Sequence, residues 1–360
     1  MAVDHVGELA ASLRDTLLER RRRRAASGRG AGPQLMDEAA ELVAHEAAAL
    51  SPGLRARILE QVRRDTVGLG PLEEALTDPT VTEVMVNGPD EVYVERSGRV
   101  ETSAIRFAGE QELRDTIERV LAHAGRRVDE SSPAADGRLA SGSRVHVVIP
   151  PLALGGPTLT IRRFGGVRPG PRALVAAGAI DAEAMTRLAE AVRTRRSILV
   201  SGGTSAGKTT LLNALSAFFG DRERIVTIED SAELRLLQPH VVRLEARPPT
   251  LEGTGAVGVR ELLRNALRMR PDRIVIGEVR GAEAFDLLNA LNTGHPGSLS
   301  TIHANSVADA RDRLQLLCLT AGTGLAPSAI RRLVDAAIDV GVHLERGPDG
   351  RRRVTELAGA

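Results

Sequence analysis

Gly202-Gly203-Thr204-Ser205-Ala206-Gly207-Lys208-Thr209 fills every fixed position of the G-x-x-x-x-G-K-[ST] phosphate-binding loop. Of the 48 basic side chains, 47 are arginine and the single lysine is Lys208. A chain so biased toward arginine keeps its one ammonium where a planar guanidinium fits poorly. The β- and γ-phosphates of a nucleotide call for a compact point charge on a thin stem, threaded into a backbone nest. The glycines let main-chain N–H groups close around the phosphates, and the following helix adds the positive end of its dipole. Thr209 is placed to ligate Mg²⁺ through its hydroxyl. The context agrees: Ser197-Ile198-Leu199-Val200 reads as a short buried strand before the loop. Leu211, Leu212, Leu215 and Phe218 then follow at helical spacing. The run Gly202, Gly203, Thr204, Ser205, Ala206, Gly207, Lys208, Thr209 and Thr210 is therefore assigned to binding a nucleoside triphosphate.

The bulk properties bound what surrounds that loop. A chain of 360 residues is expected to hold two domains and some terminal extension. Hydrophobic residues make up 42% but aromatics only 2%, so the cores must be built from Leu, Val, Ile and Ala. A net charge of +1 argues against a nucleic-acid-coating protein. The lone Cys318 excludes an intramolecular disulfide, suits a reducing cytosol, and reads as a small buried hydrophobe on a helix over 310–319. No signal-peptide pattern is visible near Asp4, His5 and Glu8, and no stretch approaches the roughly 18 apolar residues of a membrane span. Action at a membrane would then run through partners or surface contact.

Leu9, Leu13, Leu17 and Leu18 are helically spaced, followed by an arginine run at 20–24 and a break at Ser27–Pro33. Such a run suits contact with anionic lipid or nucleic acid, but a solvated extension is the commoner explanation. Residues 1–32 are thus a helical extension and 33–65 a helical segment. Val81–Val86 and Glu91–Glu95 flank the turn cluster Asn87-Gly88-Pro89-Asp90, which predicts a hairpin. An amphipathic helix over Glu112–Ala124 and strands over Arg144–Ile149 and Thr158–Arg162 complete an α+β domain over 66–164. The Gly/Pro-rich stretch 165–172 has linker composition. The remainder, 173–360, alternates strands and helices as a parallel α/β sheet requires.

Hydrolysis needs a carboxylate near the metal and a group that orients water. Ile225-Val226-Thr227-Ile228-Glu229-Asp230, with Glu233 beyond, and Arg273-Ile274-Val275-Ile276-Gly277-Glu278 are apolar strands with acidic ends. Carboxylates there project into the crevice where α/β sheets bind ligands. His303 ends a further apolar strand and His295 lies in a glycine-bounded turn; a zinc reading fails because no other His or Cys lies at ligand spacing. A GTPase is excluded, because its Asn/Thr-Lys-x-Asp guanine motif needs a second lysine.

Read together, these blocks resemble the secretion ATPases of type II and type IV secretion and type IV pilus systems, nearest the Tad/Flp-pilus (CpaF-like) branch. The resemblance runs from Gly68-Leu69-Gly70-Pro71-Leu72 to the C-terminus and includes Arg127–Pro133, Leu159–Phe164 and Arg268-Met269-Arg270-Pro271-Asp272-Arg273. It implies an α/β fold: a RecA-like P-loop NTPase domain with a smaller N-terminal α+β (PAS-like) domain. It makes Glu278 the Walker B carboxylate, Glu229, Asp230 and Glu233 an acidic box for metal and water positioning, and His303 a histidine box. Thr209, Glu278, Glu229 and Asp230 would serve Mg²⁺, with ATP as the nucleotide. Arginines of the N-terminal domain would reach the terminal phosphate: Arg144 and Arg162 first, then Arg138 and Arg163. Ser205-Ala206 replaces the family's usual Gly-Ser, and Pro296 stands where an acid is common. The implied molecule is a homohexameric ATPase, cytoplasmic and peripheral at the inner face of the membrane, working on an inner-membrane platform protein. The alternatives are a conjugation-associated ATPase of the same family and a non-hydrolysing nucleotide-binding ring; nucleic acid is not an expected partner.

Overall fold

The computed structural model describes residues 35–66, 68–96, 98–164, 169–247, 249 and 254–359, with 7, 9, 10, 12–17 and 19 of the N-terminal segment. The arginine run, the Ser27–Pro33 break and linker positions 165–168 lie outside the described residues. The chain divides into two compact units, Met1–Gly166 and Val167–Ala360. Pro171 and Arg172, expected as linker, instead open the first helix of the second unit, where proline's fixed φ suits the first turn.

In the first unit, helices α1 (Leu35–Glu46) and α2 (Pro52–Thr66) pack with Ala10, Leu13 and Leu17 into a small core through Leu42, Val43, Ile58 and Val62. A 3₁₀ turn (Gly70–Leu72) and α3 (Glu73–Thr77) lead into strands β1 (Val81–Asn87), β2 (Val92–Arg96) and β3 (Arg99–Thr102). Helix α4 (Glu110–His123) precedes β4 (Ala134–Arg138), β5 (Arg144–Val148) and β6 (Thr158–Arg162). The six strands form one antiparallel sheet, β3-β2-β1-β6-β5-β4. Val84, Val145, Leu159 and Ile161 bury one face against Leu113, Ile117, Val120 and Leu121 of α4. Alternation of side chains across a strand leaves Arg144 and Arg162 on the other face.

The second unit comprises α5 (Pro171–Ala176), α6 (Ala182–Arg193), β7 (Ile198–Gly202), α7 (Lys208–Ser216), β8 (Ile225–Glu229) and β9 (Val241–Glu245). Then come α8 (Val259–Ala266), β10 (Arg273–Val279), α9 (Glu283–Asn292), β11 (Leu299–Ile302), α10 (Val307–Thr320), α11 (Pro327–Ala337), β12 (Val340–Arg346) and β13 (Arg352–Ala358). The sheet order is β13-β12-β7-β11-β10-β8-β9, parallel throughout except for β13. Both faces are covered, so the central strands read as continuous apolar runs. Ile198 and Val200 face α5–α7, whereas Leu199 faces the α8–α11 side. Cys318 is buried in that second layer, and burial pushes its thiol up to about 12, so it behaves as a small apolar side chain.

Candidate functional site

Parallel strands deliver their C-terminal ends to one edge, and the register shows what arrives there. Ser201 of β7 stands opposite Ile302 of β11, and Ile302 opposite Val279 of β10. Ile276 of β10 is level with Ile228 of β8. The phosphate loop, His303, Glu278 and Glu229 thus leave neighbouring strands at the same edge. Because β11 lies between β7 and β10, strand spacing puts the loop's strand about 10 Å from the strand of Glu278.

The loop's backbone is one that glycine permits. At Gly202, φ is 153°, and an added Cβ would lie 2.5 Å from the backbone oxygen of Leu344. Gly207 caps α7 at φ 100°. Ser205 also takes a left-handed φ of 57°, which explains physically why a glycine suits that position. Lys208 donates from Nζ to the carbonyl oxygens of Gly202 and Gly203, each at 2.9 Å. Thr209 follows on the first turn of α7, and Thr210 on the next position.

Between Ile276 and Val279 the β10–β11 register slips, so Gly277 and Glu278 form a bulge at the site edge. Bulges re-aim side chains in this way. Gly277 has a separate role: a Cβ there would lie 2.9 Å from Cγ of Glu229. An aspartate at 277 would displace Glu229. Glu229 is buried at 3% exposure; its Oε1 accepts from the backbone N–H groups of Glu233 (2.7 Å) and Leu234 (2.9 Å). Its buried Oε2 has no hydrogen-bond partner among the described residues. Burial, offset by those two N–H donors and reinforced by Glu233, pushes its carboxyl up to about 6.

Arg280, which the sequence reading passed over, joins the other two acids. It donates from Nη2 to Glu278 Oε2 at 2.6 Å and from Nη1 to Asp230 Oδ2 at 3.3 Å. Its signal was present as an arginine two residues after the strand's glutamate, but one arginine among 47 carries no mark in sequence. Among the described residues no group of three or more His, Cys, Asp or Glu is gathered to hold a metal ion. Thr209, Glu278, Glu229 and Asp230 therefore form no ready-made cage. Hard oxygen donors that leave most of the coordination to phosphates and water do suit Mg²⁺, and the orphaned Oε2 of Glu229 is one such donor.

Three of the four arginines singled out in the first unit lie in one row. Arg138 pairs in register with Arg144, Arg144 with Arg162, and Arg162 with Glu83. Arg144 meets Asp136 at 3.3 Å, and Arg138 sits over the Phe164 ring at 5.8 Å. Burial raises the Glu83 carboxyl above its ordinary value, while Arg162 pulls it down. Arg163 is differently occupied, donating to the backbone oxygens of Asp78 and Val81. His295 lies before β11, at the sheet edge opposite His303.

A sheet that carries a phosphate loop at its C-terminal edge, covered by helices on both faces, defines a RecA-like P-loop nucleotide-binding unit. The chain belongs to the Type II/IV secretion system protein family, whose model matches residues 65–341. A protein of Mycobacterium tuberculosis with a provisional conjugal-transfer name is 44% identical over 306 residues, covering 83% of this chain and 86% of the relative. The type IV secretion system protein PtlH of Bordetella pertussis is 36% identical over 312 residues, covering 78% and 91%. The solved structure of the pilus retraction motor PilT with bound ADP superposes with a TM-score of 0.58 at 20% identity, covering 80% of this chain and 82% of that one. That last likeness is one of fold.

Proposed function

We propose that this protein is a Mg²⁺-dependent ATPase that works as a homohexameric motor on an inner-membrane platform of a type IV-like secretion, conjugation or Tad-type pilus system. The observation that carries this reading is the gathering of Lys208, Glu278, Glu229 and His303 at one sheet edge by consecutive strand registers. In this mechanism Lys208 leaves the carbonyls of Gly202 and Gly203 for the β- and γ-phosphates, which present the stronger acceptors. Glu278, aimed by its bulge and held by Arg280, orients and polarises the attacking water. Glu229 holds the acidic loop that follows β8 and offers an oxygen toward the metal side. His303, partly buried where β11 runs beside the loop's strand, is assigned the sensing of the terminal phosphate, a reading its place beside that strand supports. Mg²⁺, when bound, neutralises charge on the phosphate oxygens.

Arg144 and Arg162, in register on the first unit's sheet, are proposed to stabilise charge on the transferred phosphoryl group. Among the described residues no helix is long and apolar enough to cross a membrane, which fits a peripheral motor driven through a membrane partner. Purified protein tests the reading directly. Lys208→Ala should lose nucleotide binding and turnover, and Glu278→Gln should bind ATP with little turnover; normal turnover by both overturns it. Arg162→Ala should slow hydrolysis far more than it weakens binding. The conjugal-transfer name of the Mycobacterium relative supports one narrower role, coupling to DNA transfer. Stimulation of the ATPase by DNA would favour that role over pilus or protein export.

A further inference from the structure

The C-terminal hairpin backs directly onto the phosphate loop. The carbonyl oxygen of Leu344, on β12, lies 2.5 Å from where a Cβ on Gly202 would sit. On the partner strand, Arg352 runs past Gly207: an added Cβ there would meet its Cδ at 3.3 Å and its Cβ at 3.8 Å. Arg352 is exposed, and its side chain makes no hydrogen bond or ion pair among the described residues. Its neighbour Arg353, by contrast, is neutralised by Asp349 at 2.7 Å. Directly across the hairpin from Arg352 stands Arg346, so two guanidinium-bearing residues share one face. The guanidinium of Arg352 adds to Lys208 and the positive end of α7. Such an accumulation of positive charge is relieved when an anion enters.

We infer that Arg352 is a nucleotide-binding residue, its guanidinium closing over the α- and β-phosphates from the hairpin side of the loop. The inference rests on the phosphate-loop reading of Gly202–Thr209 and adds to it a contact supplied by β13. Gly207 is the last residue before the lysine, and the backbone there cradles the α/β-phosphate segment rather than the terminal one. The contact is therefore made equally by a diphosphate and a triphosphate. A residue of that kind contributes to binding in the ground state and the transition state alike, so its loss shows in KM and not chiefly in kcat.

The test uses full-length protein, a fluorescent ADP analogue, and ATP held unhydrolysed on a Glu278→Gln background. Arg352→Ala should weaken both nucleotides by the same factor, about tenfold, the scale of one charge-assisted contact at a partly exposed site. Arg352→Lys should recover part of that loss. The nucleotide-free thermal midpoint should not fall, since the side chain holds no partner in the fold. ADP affinity unchanged in Arg352→Ala, or a loss confined to ATP or to kcat, overturns the assignment. Wild-type ADP affinity in Lys208→Ala would instead sink the phosphate-loop reading beneath it, so the two failures are told apart.

Discussion

Glu229→Gln should loosen one function and tighten the fold, in amounts that depend on pH. The carboxyl of Glu229 rises from its ordinary 4.5 to about 6 because it is buried at the end of β8 with one oxygen unpaired. A folded-state value above the unfolded one means that the group's contribution to stability is complete below pH 4.5. It is lost as pH climbs through 6. At pH 7.5 the ionised side chain costs the fold about 2 kcal/mol, and at pH 5 about 0.8 kcal/mol. The amide variant is free of this dependence. Any constant cost of its unpartnered NH₂ group cancels when the two pH values are compared. Relative to wild type, Glu229→Gln should therefore gain about 1.2 kcal/mol between pH 5 and pH 7.5, or about 2–5 °C in the thermal midpoint for a unit of this size. Paired melts at the two pH values measure it, and ATP turnover at pH 7.5 should fall in the same variant. A difference in midpoint that stays constant from pH 5 to pH 7.5 would refute the argument that a desolvated carboxylate sits here.

Other substitutions separate site geometry from support. Arg280→Ala removes the fork that joins Glu278 to Asp230. Since Arg280 is exposed, stability should change by less than about 1 kcal/mol, while kcat drops about tenfold from lost orientation and ADP affinity holds; stopped turnover assays with ADP titration check this. Gly277→Ala drives a methyl into Glu229 and should cost about 1–3 kcal/mol of stability by denaturant titration. Arg273→Ala takes two donors at 2.7 and 3.1 Å from Glu223, which keeps Arg195 and the Gly220 N–H, and frees the buried Gly297 carbonyl, so it should cost about 1–3 kcal/mol. The protein that remains folded should hydrolyse ATP normally, because Arg273 lies at the sheet edge away from the phosphate loop; a selective loss of kcat would contradict that placement.

Arg273 also shows where sequence reasoning stops. The run Arg268–Arg273 carries a specific family resemblance, yet the structure uses it as support. Arg273 is 2% exposed, paired with Glu223, bonded to the Gly297 carbonyl and laid over Phe219 at 4.6 Å. A motif string does not say whether its charge faces a ligand or a buried partner, since that depends on which end of β10 it occupies. The phosphate loop was legible because its chemistry is local: the glycines' backbone, one lysine ammonium and one threonine hydroxyl sit at fixed spacing on a single short stretch of chain. The strands that end in Glu229, Glu278 and His303 were legible because a buried parallel strand is a run of apolar residues with a polar end. By contrast, β4 (Ala-Ala-Asp-Gly-Arg) has almost no β-branched content, and the pairing of β5 makes it a strand. The alignment of Arg138, Arg144 and Arg162 depends on register, and the approach of Arg352 to Gly207 depends on a hairpin more than 140 residues further along the chain. What decides the role of an arginine here is the sheet position it is given, so in a chain holding 47 of them the informative unit is the register pair and not the residue.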